Sequence, residues 1–311
     1  MANEVFLYLG LTLSDPATVL PILLRELKAS NTIIGLLPSI RFGGWLLPQL
    51  FVASYLQSKR LKRPFVVGLG VVRAVAYLII AMLLVGSARL APGLVIASFL
   101  LLFGLTRLTA GSASVGRLEV IGKVVARERL ASFFAIRGFW VGCGGLVSGV
   151  IIAAVLGSGP RFPLNYALLF LASAGFFSLG AFAFHYIDER PSAEATSGAS
   201  ILKHLARVPG LVARDPGYQR YLVYRLLLEV TGVAAPFYMV YATESWGVPP
   251  AMAGTYIAAS TVARLAANLY WRRVAELRGT GRVLVHSAGV CAAAPLIPLC
   301  LAFLQARSAG G

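Results

Sequence analysis

The stretch Leu101–Ser114, LLFGLTRLTAGSAS, sets one arginine, Arg107, in a run that is otherwise apolar or small. A guanidinium stays charged at any ordinary pH, so the meaning of the run depends on its solvent. In water the cation needs only to turn outward. In hydrocarbon an arginine at a helix centre costs about 2.5–3.5 kcal/mol, which facing water, an acid or carbonyl groups recovers. The rest of the chain decides between the two. Its 311 residues are 58% hydrophobic and 13% charged, with a mean hydropathy of +0.78. A soluble domain carries roughly 45–50% apolar and about 25% charged residues. Apolar runs of about 20 residues, enough to cross ~30 Å of hydrocarbon, recur throughout, and no short alternating segments of a β-barrel stand out. The chain reads as an all-α, polytopic membrane protein.

Nine spans are predicted, at Val5–Leu27, Ile33–Leu56, Pro64–Val85, Leu94–Val115, Phe133–Leu156, Leu164–Tyr186, Tyr221–Tyr241, Ala251–Tyr270 and Val283–Phe303. Alternate connectors are basic: QSKRLKRP, GKVVARERL, the segment 187–220 and WRRVAELRGTGR. The intervening ones, LKASN, GSARLAP, GSGPRFP and ESWGVPPA, carry one basic residue or none. Basic connectors favour the cytoplasmic side, so the expected topology is a multi-pass cell-membrane protein, of a bacterial inner membrane, with a cytoplasmic N-terminus. This accounts for the net charge of +16 without nucleic acid, which is not expected as a partner. The lipid bilayer is. The N-terminus lacks the basic region of a cleaved signal peptide, so the first span is read as an uncleaved anchor. Cys143, Cys291 and Cys300 lie in apolar runs without metal-ligand spacing and read as small hydrophobes.

The longest connector divides the chain into a six-helix bundle at 1–187, a cytoplasmic linker at 188–219 and a partial bundle of three helices at 220–311. Within the linker, SILKHLARVPGLVARD places Ile201, Leu202, Leu205, Val208 and Val212 on one helical face, the pattern of a helix lying on an anionic leaflet.

Polar residues inside a membrane mark functional sites by default. Asp15 sits in LSDPATVLP, where Pro16 and Pro21 withhold amide donors and make an irregular first span. Arg225 and Glu229, four apart, share a helix face, as do Arg264 and Asn268. Asp15 and Glu229 are the carboxylates that proton coupling would use. Arg41 and Arg73 are further intramembrane cations. Arginines outnumber acids in the spans, which favours an anionic or amphiphilic small molecule as substrate. Gly138, Gly142, Gly145 and Gly149 make a smooth helical face for close packing. No pattern specifies an oligomeric state.

Six spans, a basic linker and further spans resemble the major facilitator superfamily. WRRVAELRGTGR is similar to that family's loop signature, with Glu276 at its acidic position, Gly279 at its glycine and Arg282 among its basic positions. ASYLQSKRLKRP, after the second span, keeps only the basic cluster. RLTAGSAS resembles the family's fourth-span signature, with Arg107 and Gly111 in place. The resemblance implies a secondary transporter working by alternating access, an association of Arg107 with proton coupling, and twelve spans in four three-helix units. Nine spans supply three of those units. The resemblance therefore implies an incomplete sequence, or impaired transport by this chain alone. GFWVGCGGLVSG is similar to a glycine-rich antiporter signature without its proline.

No GxxxxGK[ST], HExxH, GxSxG or CxxC motif occurs, so no cofactor, metal or nucleotide-driven step is expected, and no enzyme activity. Two other functions compete with transport. One is a non-transporting relic or scaffold. The other is a lipid-modifying enzyme built on Glu119, Lys123 and Glu128. Convergence of the intramembrane charges on one cavity favours the transporter.

Overall fold

The structure, a computed structural model, describes residues 1–191, 210, 212–293 and 295–300. Its helices are α1 (Ala2–Leu13), α2 (Val19–Glu26), α3 (Asn31–Gln57), α4 (Arg63–Val85), α5 (Pro92–Val124), α6 (Leu130–Ser158), α7 (Leu164–His185), α8 (Pro216–Gly232), α9 (Ala235–Trp246), α10 (Met252–Arg278) and α11 (Thr280–Ala293). No strand occurs among the described residues. Five stretches of described helix are long and apolar enough to cross a membrane: Arg63–Val85, Pro92–Val124, Arg127–Ser158, Leu164–His185 and Gly281–Cys300.

Two expected spans are split. The first breaks between Leu13 and Val19, because Pro16 cannot donate an amide and its ring clashes with the preceding turn. Asp15 stabilises the break. Its Oδ1 accepts from the Ala17 amide at 2.9 Å and the Thr18 hydroxyl at 3.1 Å, a local Asx turn. The seventh span, expected to be continuous over Tyr221–Tyr241, is two helices meeting at Val233 and Ala234. Pro236, in the first turn of α9, would clash with the carbonyl four residues back, at Gly232, where α8 ends. Two further helices outrun their predicted spans. α5 continues to Val124, and α10 continues to Arg278. The expected loop before the last span is thereby reduced to Gly279, whose φ of 81° suits glycine. The linker segment expected to lie on the membrane falls, except for 210 and 212–215, outside the described residues, as do 294 and 301–303 of the ninth span.

α4 packs on α7 and α5, α3 on α5, and α1 on α7 and α6. Tyr77, Phe99, Phe103, Phe170 and Leu13 are fully buried where these helices meet. α6 carries the contact onward to α10, and α11 joins α10 to α8. Small residues permit the closest crossings, as expected where lipid removes the hydrophobic drive for helix association. A Cβ at Gly111 would overlap the Trp45 carbonyl of α3, and a Cβ at Gly149 would lie 2.8 Å from the Gly254 carbonyl of α10. Large apolar side chains such as Leu101, Val150 and Phe182 stay more than half exposed. A continuous apolar exterior is a liability in water and ordinary against acyl chains.

Three basic connectors come together at one end. Glu189, after α7, accepts from the backbone amides of Lys62 at 2.8 Å and Arg63 at 2.7 Å, and pairs with Lys123 Nζ at 2.6 Å. Arg63 also donates to the Ile187 carbonyl at 2.9 Å. The start of α1 lies at this end too, since Asn3 donates to the Gly180 carbonyl at 2.7 Å.

Candidate functional site

The break in the first span places Asp15 about midway between Glu4 and Arg25, near the middle of the bundle. Around it α1, the break itself, α3, α5, α6 and α10 line a cavity of about 540 Å³. Asp15, Arg41, Arg107, Arg264 and Asn268 line it, with Tyr8, Thr12, Thr18, Tyr256, Ser260 and Thr261 supplying hydroxyls. A second cavity of about 430 Å³ shares Tyr8, Leu11, Arg41 and Arg107 with the first. It continues past Arg73 to Glu4, Arg117 and Arg137, toward the end that carries the basic connectors.

Arg107 answers the question raised by its sequence. The crossing at Gly111 seats α5 against α3, and Gly44 of α3 lies close to the Arg107 side chain. The guanidinium then points inward, 8% exposed as a residue, and lies over the Phe103 ring at 5.1 Å. It donates to the Tyr77 hydroxyl at 3.3 Å, which shares a 2.9 Å hydrogen bond with Ser14, the neighbour of Asp15. Its Nε has no hydrogen-bond partner. A hydroxyl chain thus links the fourth-span arginine to the helix break.

Deeper toward the basic end, Glu4 is 3% exposed and faces Arg117 at 3.1 Å and Arg137 at 2.7 Å. Arg137 also donates to the Tyr8 hydroxyl at 3.4 Å. At the opposite end the bundle closes. The Arg25 guanidinium makes a two-pronged ion pair with Glu244 of α9, with Nη2 to Oε2 at 2.8 Å, and its Nη1 donates to Asn31 at 3.1 Å. Among the described residues, no group of three His, Cys, Asp or Glu side chains could hold a metal ion.

The solved structure of a D-xylose-proton symporter superposes on this chain with a TM-score of 0.61 at 14% sequence identity. The chain shares the fold of that symporter. The match covers 88% of this chain and 67% of the symporter chain. No protein-family model and no curated protein matches the sequence. The fold and the apolar helices together describe a multi-pass membrane protein.

Of the residues singled out from sequence, the structure brings Asp15, Arg107, Arg264 and Asn268 to one cavity, where Gly138, Gly142 and Gly145 also form part of the wall. Gly142, Gly145 and Gly149 abut α10 through Leu265, Thr261 and Gly254, whereas nothing lies within 4 Å of a Cβ at Gly138. Arg225 and Glu229 lie elsewhere, in an exposed intrahelical pair at 2.6 Å. Glu276 pairs with Arg272 at 2.8 Å on the last turns of α10, also exposed, with Gly279 and Arg282 following it. The residues suggested for a lipid-modifying centre are engaged otherwise: Lys123 with Glu189, and Glu119 with Lys62 at 3.6 Å. Sequence reasoning missed Glu4, Glu189 and the hydroxyls of α10. Glu4 precedes the first predicted span and Glu189 follows the sixth, so neither stood out as an intramembrane charge.

Proposed function

We propose that this chain is a secondary active transporter of the major facilitator type, moving a small solute by alternating access. The observation that carries the reading is the convergence of Asp15, Arg107, Arg264 and Asn268, from three separated segments, on one mid-bundle cavity. Scattered pairing of those groups would have suited a scaffold. The symporter-like fold supports the same reading.

In this reading 1–187 and 220–311 are the two bodies that rock, joined by the linker at 188–219, with the solute held between them. The Arg25–Glu244 pair and the contacts of α9 with α2 and α3 close one end, while the paired cavities reach toward the other. With the basic connectors and the N-terminus in the cytoplasm, this is an inward-facing arrangement in a cell membrane. Asp15 is the proposed proton carrier, since Glu229 is spent on an exposed pair away from the cavity. Arg107 is linked to the Asp15 turn through Tyr77 and Ser14.

Reconstitution tests this. Purified protein in liposomes should exchange at least one of labelled phosphate, succinate, D-xylose or lysine faster than protein-free vesicles, and net uptake should acidify a lumenal dye. Asp15→Asn should abolish the acidification and spare exchange. Uptake indifferent to an imposed proton gradient would remove the coupling, and exchange of no solute would remove transport. The chain spans about two thirds of the symporter's length, so transport by it alone is part of what the experiment reads.

A further inference from the structure

We infer that the solute of this cavity is a small oxyanion, a carboxylate or phosphate, gripped by Arg41, Arg107 and Arg264. The inference rests on the transporter reading for the role of the site, but on separate observations for its chemistry. The intramembrane and near-membrane arginines differ in their partners. Arg117 and Arg137 are matched by Glu4, and Arg25 by Glu244. Arg41, Arg107 and Arg264 line the central cavity, and none of them has a carboxylate within ion-pair distance among the described residues.

The one carboxylate in that cavity does not neutralise them. Asp15 is turned onto its own chain, accepting from the Ala17 amide and the Thr18 hydroxyl. Arg107 is the sharpest case. It is nearly buried, its Nε lacks any partner, and its neutral neighbours are a phenol and a ring. A guanidinium presents its N–H donors in a rigid fork that fits carboxylate or phosphate oxygens two at a time. Three such forks facing one locally satisfied carboxylate leave the cavity electropositive, in a medium where uncompensated charge is costly. An entering dianion supplies the missing counter-charge, and Asn268 and Tyr256 remain for its polar substituents. A cavity of about 540 Å³ admits an organic acid or a sugar phosphate.

The test is equilibrium binding to the full chain in detergent, separate from any flux measurement. Succinate, glycerol 3-phosphate, inorganic phosphate, D-xylose and lysine are each titrated while the thermal midpoint and the heat of binding are followed. The expected result is stabilisation by at least one of the three anions and by neither xylose nor lysine. Arg41→Gln and Arg264→Gln, both at accessible cavity walls, should each weaken that anion by about ten- to a hundredfold, with Arg41→Lys partly restoring it. Unliganded melting of the variants reports folding independently.

A preference for phosphate over succinate, or the reverse, identifies the headgroup. Stabilisation by xylose or lysine with no response to the anions overturns the inference and leaves transport standing. Anion binding without flux in liposomes supports the inference and overturns transport. Binding of an anion that survives both glutamine substitutions, or binding of none of the probes, overturns the inference.

Discussion

The two ends of the bundle are closed by different means. At the end with the basic connectors, the Glu189 carboxylate is 1% exposed and serves Lys123 and two backbone amides at once. It ties the start of α4 and the end of α5 to the segment that follows α7. At the far end, Arg25 and Glu244 are 32% and 46% exposed, and they join segments 219 residues apart. A buried charge that loses its partner costs about 3–5 kcal/mol. An exposed ion pair contributes about 0–1 kcal/mol. The first tie fixes helices within α1–α7. The second, an exposed ion pair between α2 and α9, can break at thermal cost. The proposed alternating access requires such a division between a rigid body and a releasable contact.

The comparison breaks most readily at Glu189. Glu189→Ala should lower stability by about 3–5 kcal/mol, read as a large drop in the thermal midpoint in detergent. Glu189→Gln, which keeps some acceptor capacity, should lose less. A loss below about 1 kcal/mol for the alanine variant would place the clamp on a par with the far end and remove the contrast.

Acid sharpens the same point. Burial pushes the Glu189 carboxyl up, but the Lys123 ammonium and the amides of Arg63 and Lys62 outweigh it, so the group sits below the ordinary glutamate value. A carboxyl lowered by folding stabilises fully above its unfolded value, about pH 4.3, and that contribution disappears as pH falls through the lower folded value. The thermal midpoint should therefore fall on acidification below about pH 4.3, and the fall should be smaller in Glu189→Gln. Equal acid sensitivity in both proteins would show that the clamp is not the responsible group.

Smaller effects on stability are expected at the far end. Arg25→Ala or Glu244→Gln should change stability by about 1 kcal/mol or less. The distance distribution between spin labels at Lys28 and Val248 should nonetheless broaden, because the contact between α2 and α9 opens more often. Glu244 is held below the ordinary carboxylate value by its hydrogen bond to Arg25, so acid should broaden the same distribution in the unsubstituted protein. An unchanged distribution in both experiments would show that other contacts keep this end shut. The smallest effect belongs to the exposed α8 pair. Arg225→Ala should stay within about 0.5 kcal/mol and leave solute exchange intact.

Much of this was written in local pattern. Apolar length located the helices, since hydrocarbon admits only backbone satisfied within its own segment. Asp15 and Pro16 marked the break in the first span, because a proline without a donor and a carboxylate able to cap free amides are local facts. The second break was less legible. Pro236 was visible, but the surrounding apolar run concealed that α8 would end at Gly232. Arg107 stood out because a cation in an apolar run costs energy wherever it points. Glu4 and Glu189 did not, because an acid at the edge of a span looks solvated until tertiary contacts bury it.

The sequence by itself determined the medium, the helices and the presence of more intramembrane cations than anions. Each follows from free energies of transfer and from backbone chemistry that act residue by residue. Only the tertiary structure decided which charges meet. Arg117 and Arg137 found Glu4 across a helix interface, while Arg41, Arg107 and Arg264, from three different helices, were left facing a common space. Pairing depends on distances between segments far apart in the chain, and those distances are set by how closely α5 can approach α3 at Gly111 and α6 can approach α10 at Gly149.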